Sequence, residues 1–235
     1  MMNKALVITG GSRGIGKATC QLFQDQDFKV INISRSSIEL PNAIQFFIDL
    51  TNPNSIMQQK DLLLSELEGI EQIVLVHCAA SHTKDSLEAV EHQKFTESLA
   101  INIISPSILS QVLVPIMPAG SSIIYLGSTL SEKAVSNAFS YTTAKHGVIG
   151  MMRATCQDLA GKGIHTVCVC PGFTDTEMFR HHIENNPNTL FAVTQKVTFK
   201  RLIAPKEIAE TIHFCATNPV VNGTVFHANL GQIES

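Results

Sequence analysis

Ala5-Leu6-Val7-Ile8-Thr9-Gly10-Gly11-Ser12-Arg13-Gly14-Ile15-Gly16 decides the fold of this chain. The apolar run at its start reads as a strand buried on both faces. Glycines at 10, 11, 14 and 16 then let the backbone turn tightly and approach a ligand closely. From Gly14 to Gln26 the spacing is that of a helix. A helix entered this way points free N–H groups and its positive dipole end back at the turn, a setting that suits a pyrophosphate. The glycines do not follow G-x-G-x-x-G, but the physical requirements are the same.

Outward from this turn, short apolar runs alternate with longer helical stretches. Strands are expected at Ala5–Thr9, Lys29–Ser34, Ala43–Ile48, Gln72–His77, Ser122–Leu126, His165–Cys170 and Thr224–His227. Helices are expected at Gly14–Gln26, Ser55–Glu68, Gln93–Val114, Phe139–Ala160 and Pro205–Thr217. Pro106 should kink the third of these. The alternation predicts an α/β fold: a doubly wound parallel sheet (Rossmann fold) of about seven strands with helices on both faces. Residues 1–235 show no internal repeat, low-complexity segment or linker, so a single domain is expected. The stretch from Gly172 to Arg201 is long and has no clear strand. It reads as a substrate lid over about 172–200, compatible with a small helical subdomain.

Hydrophobic residues make up 44% of the 235 and charged residues 16%, which suits a large buried core rather than disorder. Seventeen basic against 20 acidic residues give −3, and no basic stripe invites a nucleic acid. There is no uninterrupted run of 18 apolar residues, so no membrane span is expected. Met1-Met2-Asn3-Lys4 leads at once into the first strand, too short for a signal peptide, and a cytoplasmic address is the expectation. Cys20, Cys78, Cys156, Cys168, Cys170 and Cys215 form no C-x-x-C pair. Cys168 and Cys170 share one face of a strand, but no second pair completes a metal site, so no metal is expected.

The chemistry is concentrated in Tyr141-Thr142-Thr143-Ala144-Lys145, with Ser128 thirteen residues upstream of the tyrosine. Residues four apart share a helix face. An ammonium held beside a phenol favours the phenolate, so such a tyrosine can give and take a proton. A serine hydroxyl from a neighbouring strand end would polarise the same substrate oxygen. After the second strand, where an acid would take a ribose 2′-OH, the chain has Ser34 and then Arg35. With Arg13 in the glycine turn, two guanidiniums and no carboxylate point to a 2′-phosphate, hence to NADP(H).

Over about 170 residues the chain resembles the short-chain dehydrogenase/reductase family. Thr9-Gly10…Gly14-Ile15-Gly16 is similar to its cofactor turn, Asp49-Leu50 to its adenine contact and Pro171-Gly172-Phe173-Thr174-Asp175-Thr176 to its nicotinamide-side motif. Asn102, Ser128, Tyr141 and Lys145 are similar to its catalytic tetrad in order and spacing. The resemblance implies hydride exchange between a nicotinamide and a carbonyl or alcohol carbon, with Tyr141 as general acid and base. Ser128 would bond the same oxygen, Lys145 would also hold the ribose, and Asn102 would anchor a water. Cofactor contacts would fall on Gly10, Ser12, Arg13, Gly14, Ile15, Gly16, Ser34, Arg35, Asp49, Leu50, Cys78, Ala79, Ala80, Tyr141, Lys145, Pro171, Gly172, Thr174 and Thr176. One departure is His77-Cys78-Ala79-Ala80, where the family usually has Asn-Asn-Ala-Gly; His77 reads as a structural substitute.

The substrate would be a small ketone or aldehyde. An alternative is a 3-oxoacyl-[acyl-carrier-protein] reductase of fatty acid synthesis, acting on an acyl thioester. Thr83-Lys84-Asp85-Ser86-Leu87 and Lys200-Arg201-Leu202 resemble those enzymes. Against it, Met117–Ser121 carries no base for an acidic carrier protein, and the usual Asp-Gly-Gly ending is missing. A non-catalytic NADP-binding regulatory protein is the third reading, and the intact tetrad argues against it. The helices Phe95–Val114 and Phe139–Ala160 are apolar on more than one face, which, with the resemblance, implies a homotetramer or homodimer.

Overall fold

The computed structural model describes residues 3–233; Met1 and Met2, part of the stretch read as too short for a signal peptide, lie outside them, as do Glu234 and Ser235. In chain order the elements are β1 (Lys4–Thr9), α1 (Gly14–Asp25), β2 (Lys29–Ser34), β3 (Ile44–Phe47), α2 (Asn54–Gln58), α3 (Lys60–Ser65) and β4 (Gln72–His77). There follow α4 (His92–Leu99), α5 (Ser105–Leu113), β5 (Ser122–Leu126), α6 (Phe139–Asp158), β6 (His165–Pro171), α7 (Glu177–His182), α8 (Pro187–Gln195), α9 (Pro205–Thr217) and β7 (Val225–Ala228). The seven strands form one sheet in the order β3-β2-β1-β4-β5-β6-β7, and every pairing is parallel. The order reverses between β1 and β4, the place where a doubly wound sheet opens a crevice at its carboxyl edge.

The strands build this sheet because side chains alternate between two cores. Ala5, Val7, Ile31, Ile33, Ile73 and Leu75 enter one core, which Leu109, Val148 and Met152 cover. Leu6, Ile8, Val30, Val74, Val76 and Ile124 enter the other, where Phe23 of α1 and Ile208 and Ile212 of α9 meet them. Each fully buried side chain of this size contributes roughly 1.5–3 kcal/mol, so the uninterrupted apolar runs are themselves the driving force for a two-sided sheet.

Two helical expectations need correction. The single helix read at Ser55–Glu68 is broken at Gln59 into α2 and α3. The helix read at Gln93–Val114 is interrupted by a π-turn at Ala100–Ile104, where the N–H of Ser105 reaches back five residues to the carbonyl of Ala100. Pro106 gives the reason. In an α-helix the carbonyl of Asn102 would receive the N–H of residue 106, and proline has none. The connection after β6 is helical, with α7 and α8 packed around Ile183 and Val197, both buried.

The run His92–Ile116 contains an 18-residue window of mean hydropathy 1.8 and is long and apolar enough to cross a membrane by length and composition, although no 18 consecutive residues are apolar. Here it packs on the sheet. Leu109 and Leu113 are wholly buried, and the buried hydroxyl of Ser105 donates to the carbonyl of Leu50 at 2.7 Å. His77 is likewise structural: it stacks on Tyr125 at 5.0 Å, its Nε2 meets Ser110 Oγ at 2.9 Å, and burial pushes its pKa down to about 3.

Candidate active site

Thr9 and His77 stand side by side on β1 and β4, and His77 and Tyr125 on β4 and β5. The connections that leave these strands therefore emerge along one edge. Thr9 fastens two of them together, its Oγ1 accepting the N–H groups of Cys78 at 3.1 Å and Ala79 at 3.2 Å.

The glycine turn sits against this junction. Gly10 has φ +74°, and a Cβ there would lie 2.8 Å from the Cα of Ala79. A Cβ on Gly16 would lie 2.1 Å from the carbonyl oxygen of Gly10, so only glycine lets α1 begin this close to the turn. The backbone cradle thus has the shape that a pyrophosphate needs. Its floor is Asn32, a residue the sequence reading passed over. Asn32 is wholly buried, accepts the N–H of Gly11 at 2.8 Å through Oδ1, and donates through Nδ2 to Gln45 Oε1 and Ser34 Oγ. A polar residue amid the apolar Lys29–Ser34 strand was the signal.

The other residues assigned to a cofactor ring this cradle. Ser12, Arg13 and Ile15 lie in the turn and the start of α1. Thr176 comes within 3.1 Å of the position a Cβ on Gly14 would take. Arg13 is exposed and meets Glu177 at 3.4 Å; Arg35 is exposed just past β2. The Ser34 hydroxyl turns inward and donates to the carbonyl of Ser36 at 2.6 Å. Asp49 is exposed and accepts Thr51 N–H and Oγ1, which hold its carboxyl below the usual range, while Leu50 is buried. Ala80 continues the β4 connection. Pro171 ends β6, the N–H of Gly172 bonds the carbonyl of Ala228, and the buried Thr174 donates to the carbonyl of Gly172 at 3.0 Å.

The four residues of the tetrad converge on α6. Lys145 is 2% exposed; its Nζ donates to the carbonyl of Leu126 at 2.7 Å and lies 5.6 Å from the centre of the Tyr141 ring. Ser128 follows Leu126 by two residues and caps a short 3-10 turn, Thr129–Ser131, that packs against α6. The Ser128 Oγ accepts the N–H of Leu130 at 3.1 Å, which leaves the hydroxyl proton free to donate. Asn102 is buried in the π-turn, which also packs on α6. Its Nδ2 donates to the carbonyl of Ser98 at 2.9 Å, and its buried Oδ1 has no hydrogen-bond partner.

Three further residues were missed. Asp85 is buried and holds the start of α6: it accepts the N–H of Ser140 at 3.0 Å through Oδ1 and the Ser140 hydroxyl through Oδ2. His82 lies against the Tyr141 ring, with centres 4.5 Å apart, and His182 of α7 lies against His82 at 4.2 Å. No local pattern announces these contacts, because they join a loop, a lid helix and α6. A groove of about 470 Å³ opens elsewhere on the lid, between Arg180, Leu190, Phe191 and Leu202, and none of the tetrad lines it. The described residues hold no cluster of three or more metal-ligating side chains.

A family model described as enoyl-(acyl carrier protein) reductase matches residues 10–232. The chain is 28% identical to the 3-oxoacyl-[acyl-carrier-protein] reductase FabG of Vibrio cholerae, over 97% of each chain. It is 27% identical to carbonyl reductase family member 4 of Xenopus laevis, over 95% of each. A short chain dehydrogenase family protein from Francisella tularensis superposes with a TM-score of 0.88 at 27% identity, covering 98% of both chains.

Asp85→Ala should strand the first N–H groups of α6 beside Tyr141. An unfolding free energy lower by about 1–3 kcal/mol is expected, with loss of turnover that exceeds the loss of folded protein. Equal midpoints in urea for wild type and variant would refute this.

Proposed function

The chain belongs to the short-chain dehydrogenase/reductase family, and from that premise we propose that it is an NADP(H)-dependent oxidoreductase that interconverts a carbonyl and a secondary alcohol. The family is one of oxidoreductases that use nicotinamide cofactors and act on CH–OH and C=O groups. The observation that carries the finer reading is the buried Lys145 ammonium, bonded to Leu126 and set beside the Tyr141 ring, with the Ser128 turn packed on the same helix.

The glycine cradle and Lys145 would hold a nicotinamide cofactor, which when bound would supply or receive the hydride. The protein's own part is proton transfer and orientation. During reduction the Tyr141 hydroxyl gives its proton to the oxygen that becomes the alcohol, and the Ser128 hydroxyl donates a hydrogen bond to that oxygen. Lys145, whose Nζ lies 5.6 Å from the centre of the Tyr141 ring, supplies the positive charge that favours the phenolate left there. The open Oδ1 of Asn102 supports its role as an anchor for a proton-carrying water.

Arg13 and Arg35 favour NADP(H) over NAD(H). Both are exposed, the inward-turned Ser34 leaves no carboxylate at the end of β2, and the exposed Arg13–Glu177 pair is too weak to withhold Arg13 from a phosphate. The substrate is a small ketone or aldehyde. A 3-oxoacyl thioester is the second reading, favoured by the full-length similarity to the Vibrio cholerae reductase. The segment around α7 and α8 serves as the lid. A homotetramer or homodimer fits the apolar run His92–Ile116, on which Ile104 and Ile116 stay 43% and 39% exposed.

Tyr141→Phe should lower turnover on a panel of ketones, aldehydes and 3-oxoacyl thioesters by roughly 10²–10⁴-fold and leave the NADPH dissociation constant nearly unchanged; retained turnover would remove Tyr141 from its role. NADPH should bind more tightly than NADH, and Arg35→Ala should narrow that gap by about tenfold or more. Equal dissociation constants in the wild type would overturn the cofactor assignment. Sedimentation at micromolar concentration should give a dimer or tetramer, and a monomer would contradict the proposed assembly.

A further inference from the structure

The Tyr141 ring touches more than Lys145. His82, on the loop after β4, lies against it at 4.5 Å between centres with the rings tilted by 53°. The far side of His82 carries His182, at 4.2 Å and nearly perpendicular, from the last residue of α7. Beside this stack, Lys84 meets Glu184 at 3.4 Å across the same gap. The turn that follows α7 is held with Glu184 at φ +54° and Asn185 at φ +52°. The left-handed region is unfavourable for a side chain such as Glu184, though tolerated by Asn, so the turn keeps this shape with the help of surrounding contacts. The lid is therefore tied to the loop after β4 through rings that end on the tyrosine.

We propose, resting on the reading of Tyr141 as the proton-transferring group, that His82 is a positioning residue for Tyr141 and that His182 carries the lid onto it, so that lid closure and orientation of the phenol are one event. The His82 ring braces one side of the Tyr141 ring, and a phenol so braced presents its hydroxyl in one direction. Because His182 reaches the tyrosine only through His82, opening the lid leaves His82 unbacked and frees the phenol to turn.

The arrangement requires uncharged imidazoles. Tyr141 faces His82 from α6, His182 from α7, and Lys84 and Asp85 from its own loop; Lys84 also faces His182, and Glu184 draws Lys84 towards the lid. Burial first, then the His182 ring and Lys84, push the His82 pKa down to about 4 against the opposing pull of Asp85. His182 is lowered by burial and then by Lys84. The closed arrangement thus holds fewer protons than an open one, in which a histidine titrates near its ordinary 6.5. Closure is complete above that value and weakens as pH falls below it, for His82 by up to about tenfold per pH unit down to about 4, with His182 acting in the same direction.

The test uses the full chain and three variants, His82→Ala, His182→Ala and His82→Phe, the last keeping a ring that cannot take a proton. Amide exchange across residues 177–195, corrected for intrinsic rate, is measured at about pH 7.5 and pH 5 beside kcat, KM and the pH profile. Both alanine variants should exchange faster across the lid and lose roughly tenfold or more in kcat with little change in KM. The wild-type lid should loosen at the lower pH. His82→Phe should restore most of kcat, loosen its lid less than the wild type does at the lower pH because only His182 can still take a proton, and move the acid limb of the profile downward. Lid exchange in His82→Ala equal to wild type, or an unmoved acid limb in His82→Phe, would overturn the proposal. Lid exchange needs no turnover: a wild type that reduces nothing on the panel, with a lid that His82→Ala still loosens, would sink the reaction reading and the positioning role while upholding the tie itself.

Discussion

The bond from Lys145 Nζ to the carbonyl of Leu126 is the constraint on which the rest of the site depends. An ammonium that is 2% exposed costs several kcal/mol unless its protons are met, and this carbonyl meets one at 2.7 Å. Leu126 is the last residue of β5, so the bond sets the height of α6 against the carboxyl edge of the sheet. Two consequences follow from chain geometry alone. Tyr141, one turn before Lys145, is brought to that edge, and Ser128, two residues after Leu126, emerges beside it. Asp85 removes the remaining freedom by anchoring the first turn of α6 from the opposite loop. Tyr141, Lys145 and Ser128, the groups proposed to handle the proton, are thus placed by one buried charge and one buried carboxylate.

The cofactor side has its own fixed point at the reversal of strand order between β1 and β4. Neighbouring strands of a parallel sheet send their chains to opposite faces there, and the crevice between them would splay without a tie. Thr9 is that tie, through one oxygen that receives two N–H groups from the β4 exit. The small residues at 79 and 80 follow from the same closeness: the Cα of Ala79 stands where a Cβ on Gly10 would go. This accounts for the tolerance of His77-Cys78-Ala79-Ala80 in place of asparagines. The junction uses backbone N–H groups, and His77 turns its ring into the core against Tyr125.

The sheet was legible in the sequence to within a residue or so at most strand ends, because strands buried on both faces must be written as uninterrupted apolar runs. Gln72–His77, Ser122–Leu126 and Pro205–Thr217 were read with the bounds they have. The tetrad was legible as spacing, since Tyr141 and Lys145 are one helical turn apart. What escaped depends on contacts between distant segments. His82 and His182 lie 100 residues apart in the chain and meet only when the lid folds over. Asn32 and Asp85 do their work through backbone N–H groups, which leave no trace in residue type beyond a polar residue in an unlikely place. The helical character of the segment after β6 was open in the sequence, and its bounds had a local signal: Asn186 before Pro187 is an ordinary helix start, with the Asn186 side chain accepting two N–H groups.

Helix α7 joins the two halves of the site. Its first residue, Glu177, meets Arg13 of the glycine turn, and Thr176 before it lies against Gly14; its last residue, His182, meets His82 above Tyr141. Six residues of helix span about 9 Å. One short rigid body therefore reaches from the cradle proposed for the cofactor to the ring proposed for the proton. A ligand that displaces Glu177 from Arg13 acts on one end of this body, and the state of the imidazoles acts on the other. The pair at the first end is exposed and weak, whereas the rings at the second are partly buried, so the ring contacts do more to hold α7 where it lies. Cofactor contacts near Thr176 would strengthen the proposed closure but need not create it, because α7 already rests on Tyr141 through His82.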